Sequence, residues 1–182
     1  MHIEKIHHVA YRCHDAKETV EWYVNNLKMD FVLAIAEDQV PSTKEPDPYM
    51  HVFLDAGQGN VLAFFELPTK PRMARDPNTP EWVQHIAFRV SDMETLLAYK
   101  EHLEANGVDV LGVTDHSVFH SIYFFDPNGH RLELSAPDPE EAAKLKRLDA
   151  VKWDMLEEWS KTKRAPKHAE WLHSKEFTEE PS

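Results

Sequence analysis

The chain contains an internal repeat, and this repeat constrains the fold more than any other feature of the sequence. Residues 6–15 read IHHVAYRCHD, and residues 83–92 read VQHIAFRVSD. Aligning the two segments places His8 over His85, and the neighbouring apolar, aromatic, arginine and final aspartate positions also coincide. A chain of 182 residues is long enough for two small modules to share a core. We therefore predict two copies of one module.

Each copy begins as a strand and continues into an amphipathic helix. The helical segments read AKETVEWYVNNLKM and METLLAYKEHLEANG, with apolar residues at helical spacing. Three strands are predicted after each helix, at residues 30–36, 50–55 and 61–67 in the first copy and 108–113, 121–125 and 131–135 in the second. The pattern predicts an α+β fold in which two βαβββ modules form an eight-stranded, half-open barrel.

The predicted organisation has four segments: a first module at 1–67, a linker at 68–82, a second module at 83–138 and a helical C-terminal tail at 139–182. Within the tail, an apolar stripe at helical spacing consists of Leu145, Leu148, Val151, Met155 and Trp159. Such a stripe is typical of a helix that packs on a core or on a partner subunit.

The composition limits the classes of partner. The net charge is −12, from 32 acidic and 20 basic side chains, so the surface repels a nucleic-acid backbone. No apolar run approaches the ~20 residues that cross a bilayer, and the first residues, MHIEKIHHVAYRCHD, lack the apolar stretch of a signal peptide. Cys13 is the only cysteine, which excludes an internal disulfide. We predict a cytoplasmic protein that binds a small molecule, without nucleic-acid or membrane partners.

Four residues at repeated positions are candidate metal ligands. His8 and His85 lie on the strands that open the modules, and Glu66 and Glu133 lie in the Glu-Leu pairs that close them. Side chains alternate along a strand, so we expect the more apolar face to cover the helix and the histidines to face inward. If the two sheets pack about a pseudo-two-fold axis, these four side chains converge.

Two imidazoles and one or two carboxylates suit a mid-row divalent ion and leave positions open for substrate. His8, His85 and Glu133 form the triad that usually holds non-haem Fe(II), and Glu66 is a candidate fourth ligand. The alternative is structural: a strand histidine is often only hydrogen-bonded, and an inward glutamate can meet an arginine. The recurrence of all four positions in two modules favours the metal site.

The motifs IHHVAY, VLAFFELP, VQHIAF and SIYFFDPNGHRLELS resemble those of the vicinal oxygen chelate superfamily, over about residues 3–137. This superfamily includes glyoxalase I, bleomycin-resistance proteins, extradiol ring-cleaving dioxygenases and fosfomycin-resistance transferases. The resemblance implies metal ligands at His8, Glu66, His85 and Glu133, and a homodimer.

The stretch TDHSVFHSIYFFDPNGHRLE at 114–133 resembles the extradiol dioxygenase signature. There a histidine precedes a tyrosine, followed by Asp-Pro-x-Gly and the glutamate ligand. The resemblance implies that His116 and Tyr123 are catalytic, moving protons and stabilising bound oxygen or substrate; His120 is the alternative to His116. It implies an Fe(II)-dependent dioxygenase acting on a small catecholic or hydroquinone-like ring.

Two other functions stay open. Glu66 in VLAFFELP resembles glyoxalase I, which implies a lyase or isomerase that uses Ni, Zn or Co; Mn is a further alternative to Fe(II). The third hypothesis is a metal-free binding protein of the bleomycin-sequestering kind. Contact between Glu66 and the metal would distinguish the lyase from the dioxygenase, and metal content would distinguish the binding protein from both.

Overall fold

The structure, a computed structural model, describes residues 2–173. Its first half consists of β1 (Val9–Cys13), α1 (Ala16–Leu27), β2 (Asp30–Glu37), β3 (Tyr49–Asp55) and β4 (Val61–Glu66). The second half consists of β5 (His85–Arg89), α2 (Met93–Ala105), β6 (Leu111–Asp115), β7 (Phe119–Phe125) and β8 (Arg131–Pro137). The helices α3 (Glu141–Thr162) and α4 (Glu170–His173) follow, with a short 3-10 helix at Lys167–Ala169 between them. The predicted order of strand, helix and three strands is confirmed in both halves.

The strands form two four-stranded sheets, ordered β1-β4-β3-β2 and β5-β8-β7-β6. In the first sheet β1 runs parallel to β4, while β3 is antiparallel to β2 and β4. The α+β class and the two βαβββ units are therefore confirmed. The predicted barrel is half-open, and among the described residues β1 and β5 are hydrogen-bonded only within their own sheets, so the two sheets do not close into a barrel.

The described residues group into two compact units. The first consists of those in Met1–Ile86, His102–Asp109 and Phe124–Leu132, and the second of those in Ala87–Glu101, Val110–Tyr123 and Glu133–Ser182. These units cut across the second predicted module, so the boundaries predicted at 1–67, 68–82, 83–138 and 139–182 stay a prediction. Residues 174–182 of the predicted tail lie outside the described residues.

Helix α1 begins and ends at residues suited to those positions. The Asp15 side chain accepts a hydrogen bond of 2.8 Å from the backbone N–H of Glu18, which caps the first turn. Lys28, in the left-handed conformation, ends the helix. Between these ends, Tyr23 is fully buried, and its ring lies 5.1 Å from that of Phe64 on β4. This contact identifies the face of the first sheet that α1 covers.

Asp126 is a buried carboxylate in the first unit, only 5% exposed, and four hydrogen bonds hold it. One oxygen accepts from the backbone N–H groups of Asn128 and His130, at 2.9 and 2.8 Å. The other accepts from the Asn128 amide at 3.0 Å and from the Tyr23 hydroxyl at 3.1 Å. Burial raises the pKa of Tyr23 well above its ordinary value, so this hydroxyl stays protonated and donates. The network fixes the turn after β7.

Replacing Tyr23 by Phe is expected to lower the free energy of unfolding by about 1–3 kcal/mol, because a buried carboxylate oxygen loses a donor. Urea unfolding followed by circular dichroism measures this change. Tyr49→Phe is the control, since Tyr49 is only half-buried, and its effect should stay within about 0.5 kcal/mol. Equal stability of Tyr23→Phe and the parent chain would show that Asp126 does not need this hydroxyl.

Helix α3 is anchored at its start within the second unit, where both terminal nitrogens of Arg89 donate to the Glu141 carboxylate at 2.9 and 2.8 Å. No residue of α3 is buried, and Leu145 and Trp159 of the apolar stripe are 48% and 47% exposed. Leu148, Val151 and Met155 of the stripe are half-buried. The predicted packing of the stripe, on the core or on a partner subunit, stays a prediction. None of the described helices has both the length and the apolar character needed to cross a membrane.

Candidate functional site

His8 lies on the face of the first sheet that α1 does not cover. Strands β3 and β4 pair His51 with Phe65 and Phe53 with Ala63, which gives each pair a common face. The His8 ring centroid lies 6.1 Å from that of His51 and 5.7 Å from that of Phe53. Burial lowers the pKa of His51, and charge on His8 lowers it further. His8 thus adjoins an aromatic surface that includes a second histidine.

The neighbouring His7 restrains the imidazole of His8. The Nδ1 atoms of the two rings lie 2.8 Å apart, a hydrogen bond in which one ring donates. This contact leaves Nε2 as the His8 nitrogen that would bind a ligand. Metal-binding histidines usually have such a partner on their other nitrogen. Sequence reasoning missed this role of His7, although the His-His pair in IHHVAY was visible.

Glu66 lies on the opposite face from His8. The register pairs Glu66 with Cys13, two positions beyond the pair of Phe64 and Tyr11, so Glu66 shares the α1 side with Phe64. Its Oε2 accepts a hydrogen bond of 2.7 Å from the backbone N–H of Ala16, the first residue of α1. The carboxylate thus stabilises the positive end of the helix. The sequence predicted that Glu66 converges with His8. The structure instead places its carboxylate at the N-terminus of α1.

Replacing Glu66 by Gln is expected to leave metal affinity within about two-fold and to lower the free energy of unfolding by about 1 kcal/mol. Competition with a chromogenic chelator measures the first quantity and urea unfolding the second. Glu133→Gln is the matched substitution, expected to weaken metal binding strongly. If Glu66→Gln also weakened metal binding, the carboxylate would have to leave α1, and the lyase hypothesis would gain support.

His85 is an exposed residue of the first unit. Its Nδ1 lies 3.1 Å from the carbonyl oxygen of Val83, and in the neutral ring this bond places the lone pair on Nε2. The side chain borders a cavity of about 510 Å³, which Tyr11, Arg75 and His130 also line. His85 therefore presents an imidazole to a space large enough for a small molecule.

Glu133 is a buried carboxylate of the second unit, 3% exposed. Its Oε1 accepts hydrogen bonds from the hydroxyls of Ser121 and Ser135, at 2.5 and 2.7 Å. Two donors on one oxygen fix the orientation of the carboxylate and offset part of the cost of its burial. No role was predicted for these serines. Ser135 follows Glu133 by two positions on β8, so strand alternation puts both side chains on one face.

His116 and Tyr123 are in direct contact within the second unit. Nε2 of His116 lies 2.7 Å from the Tyr123 hydroxyl, and the two rings are nearly perpendicular. The alternative, His120, lies instead between Asp115 and Asp138, with nitrogen-to-oxygen distances of 3.7 and 3.6 Å. An imidazole and a phenol at this distance can exchange a proton. The structure thus pairs Tyr123 with His116.

The predicted ligands are divided between the two compact units. Across residues 2–173, no three His, Cys, Asp or Glu side chains form a group suited to a metal ion. His8 and His85 belong to the first unit, and Glu133 belongs to the second. Two imidazoles and one carboxylate still fit a mid-row divalent ion. In His8, His85 and Glu133, one nitrogen or oxygen is held by a hydrogen bond, which leaves the other to bind the ion. The ligand set therefore stays a proposal.

The family model of the Glyoxalase/Bleomycin resistance protein/Dioxygenase superfamily matches residues 5–134. The chain belongs to this superfamily. A curated relative, the "Putative ring-cleaving dioxygenase MhqA" of Bacillus subtilis (strain 168), is 31% identical over 88 residues. The match covers 48% of this chain and 28% of MhqA, so the chain spans less than a third of that relative.

Solved structures of other proteins share the superfamily fold. A glyoxylase/bleomycin resistance protein/dioxygenase domain from Frankia sp. EAN1pec has a TM-score of 0.60 at 18% identity, covering 75% of this chain and all of that domain. The fosfomycin resistance protein FosX from Listeria monocytogenes has a TM-score of 0.55 at 22% identity, covering 77% and 98%. Further crystal structures of that FosX contain Mn(II). At these identities both likenesses show the fold alone.

Proposed function

We propose that the chain is a divalent-metal-dependent, extradiol-type dioxygenase of the cytoplasm that cleaves a small catecholic or hydroquinone-like ring. His8, His85 and Glu133 would hold Fe(II). The observation that carries the proposal is the 2.7 Å contact between His116 and Tyr123. A ring hydroxyl loses a proton when its oxygen binds a metal. The imidazole of His116 and the phenol of Tyr123 can accept and pass on that proton. The likeness to MhqA supports the same reaction class.

In the second unit, two residues transfer protons and two others orient the Glu133 carboxylate. When His116 carries its single proton on Nδ1, the Tyr123 hydroxyl donates to Nε2, and the phenol oxygen can accept a proton from the substrate while it passes its own to His116. Ser121 and Ser135 hold the Glu133 carboxylate in one orientation. Fe(II), held by these residues, would supply open coordination positions for the substrate and dioxygen.

The proposed ligands meet in a homodimer, where His8 of one copy joins His85 and Glu133 of the other. The support is the exposed apolar edge strand of each unit. On β2 the exposed residues are Phe31, Val32, Leu33 and Ile35, and on β6 they are Leu111 and Val113. Exposed apolar edge strands can pair with or pack on another chain, and a second copy of this chain would cover them.

The lyase hypothesis receives less support from the structure. It requires Glu66 as a fourth ligand, whereas the Glu66 carboxylate is bonded to the first N–H of α1. Releasing it would leave the Ala16 N–H without this acceptor. The three-ligand set of the dioxygenase needs no such rearrangement.

An oxygen electrode tests the proposed reaction. The purified protein is loaded anaerobically with Fe(II) and mixed with catechols and hydroquinones that carry small substituents. At least one compound is expected to consume one equivalent of dioxygen and to yield a ring-opened product that absorbs near visible wavelengths. Zn(II)-loaded protein and Fe(II)-treated Glu133→Gln are the controls. A panel in which no compound consumes dioxygen would refute the proposal.

A further inference from the structure

The turn that joins β6 to β7 carries His116. The backbone N–H of His116 donates to the carbonyl oxygen of Phe119 at 2.9 Å, which makes Ser117 and Val118 the two central residues of this turn. Ser117 adopts the left-handed conformation, with φ 64°. The first central residue of a two-residue hairpin turn has a positive φ, a conformation that favours glycine. A serine in this place is held there by contacts of its own.

Both helices that follow the repeat are hydrogen-bonded to Ser117. Nζ of Lys144 on α3 donates to the Ser117 carbonyl oxygen at 2.6 Å. The Ser117 hydroxyl donates to the carbonyl oxygen of Leu172 on α4, also at 2.6 Å. The Ser117 backbone N–H donates to the carboxylate of Asp115 at 2.6 Å, within the hairpin. The residue next to His116 is therefore held from two sides by elements outside the repeat.

Lys144 is the firmer of these two connections. Only 17% of its side chain is exposed, and Nζ also donates to Asp138 at 2.6 Å. This hydrogen bond lowers the pKa of Asp138 and raises the pKa of Lys144, so both side chains stay charged. The backbone N–H of Asp138 in turn donates to the carbonyl oxygen of Val118 at 3.0 Å. An ammonium group with a carboxylate and a carbonyl as acceptors is held more closely than a lysine in an exposed ion pair.

A second contact holds α4 beside α3. The guanidinium of Arg147 lies 3.8 Å from the ring centroid of Trp171, which is a cation–π contact. Arg147 follows Lys144 by three residues, so the two side chains are neighbours on the helix surface. The contact keeps Leu172, which adjoins Trp171, within reach of the Ser117 hydroxyl.

We propose that α3 and α4 position His116 for proton transfer, with Lys144 as the positioning residue. His116 directly precedes Ser117, so a movement of the Ser117 backbone moves His116 with it. The contact of 2.7 Å between Nε2 of His116 and the Tyr123 hydroxyl depends on that placement. The inference rests on the proposed function and assigns the helices after the repeat a part in it.

NMR of the imidazole nitrogens tests the placement of His116, in the full chain labelled with ¹⁵N-histidine and kept free of paramagnetic Fe(II). The signals of His116 are those that disappear in His116→Phe, and Tyr123→Phe gives their shifts when the contact is lost. In Lys144→Met they are expected to move toward the Tyr123→Phe values, whereas Lys144→Arg should stay closer to the parent. Lys152→Met is the matched control, because Lys152 on α3 pairs with Asp149 of the same helix. Its His116 signals should keep the parent shifts.

Steady-state rates connect the placement of His116 to the reaction. Lys144→Met is expected to lower kcat for dioxygen consumption about 10-fold, with KM and iron content within about two-fold of the parent. In the Tyr123→Phe background the relay is already interrupted, so the same substitution should change kcat by less than about two-fold. A substitution that only weakened the fold would lower the rate in both backgrounds.

Parent shifts of the His116 signals in Lys144→Met would overturn the proposal, and so would an equal loss of rate in both backgrounds. Ser117→Gly is the second variant, because glycine keeps the left-handed conformation while the hydroxyl bonded to Leu172 is removed. It is expected to move the same signals. Thermal unfolding identifies variants that fold, and either one suffices. A parent chain that consumes no dioxygen with any ring compound would refute the proposed function, and the nitrogen shifts alone would then decide whether Lys144 positions His116.

Discussion

A mixture of His8→Ala and Glu133→Gln chains is expected to regain about a quarter of the iron sites of the parent protein, although neither variant binds stoichiometric iron alone. In the proposed homodimer, each site takes His8 from one copy and His85 with Glu133 from the other. A mixed dimer then has one site that lacks both ligands and one complete site. Half of the dimers are mixed after random exchange, so about a quarter of all sites are intact. Each single variant should lose metal affinity by at least about 100-fold.

Iron content after gel filtration and dioxygen consumption measure the recovery. The matched control is a mixture of His85→Ala and Glu133→Gln. Both changes lie in the same half of the chain, so every site in a mixed dimer lacks one ligand and no recovery is expected. Recovery in neither mixture would place the site within one chain. Full iron content in the single variants would show that the ligand set itself is wrong.

The repeat in the sequence predicts much of the fold because apolar periodicity is a local signal. The strands of both halves begin or end within a few residues of their predicted positions, and α1 begins at the predicted residue. Hydrogen bonding between the two sheets has no such signal, since pairing between β1 and β5 would depend on backbone groups that every residue carries. The apolar stripe of α3 likewise predicts a helix but not the surface that covers it.

The side of β4 on which Glu66 lies could not be read from the sequence. The strand reads VLAFFE and is apolar on both faces, so alternation separates Phe64 from Phe65 without saying which one faces the helix. The register with β1 and the contact between Phe64 and Tyr23 show that Phe64, and with it Glu66, lies on the side of α1. His51 shows the same limit. Its contact with Phe65 could not be predicted from YMHVFLD, because it depends on how β3 pairs with β4.

The contact between His116 and Tyr123, by contrast, follows from residues close in the chain. His116 directly follows β6, Tyr123 lies on β7, and the antiparallel pairing of these strands brings the segments together. Family resemblance predicted the roles of both residues, and the structure places them 2.7 Å apart. The two predicted residues are therefore in contact, and their catalytic roles stay a prediction.

Replacing Tyr123 by Phe is expected to lower kcat for dioxygen consumption by about 10²-fold, with iron content unchanged. The substitution keeps the ring and removes only the oxygen that hydrogen-bonds to His116. His116→Phe should cause a loss of similar size, because the phenol then has no imidazole to receive its proton. Steady-state rates with the best substrate of the panel, together with iron content, measure both effects. His120→Phe is the matched control and should retain activity within about two-fold.

The double variant separates one proton relay from two independent groups. If His116 and Tyr123 act in series, removing both should cost no more than the worse single substitution, because either change already interrupts the relay. Two independent contributions would multiply to about 10⁴-fold. A multiplied loss would contradict the relay, and loss of iron in either single variant would indicate a role in metal binding. A relay in series is what the 2.7 Å contact predicts.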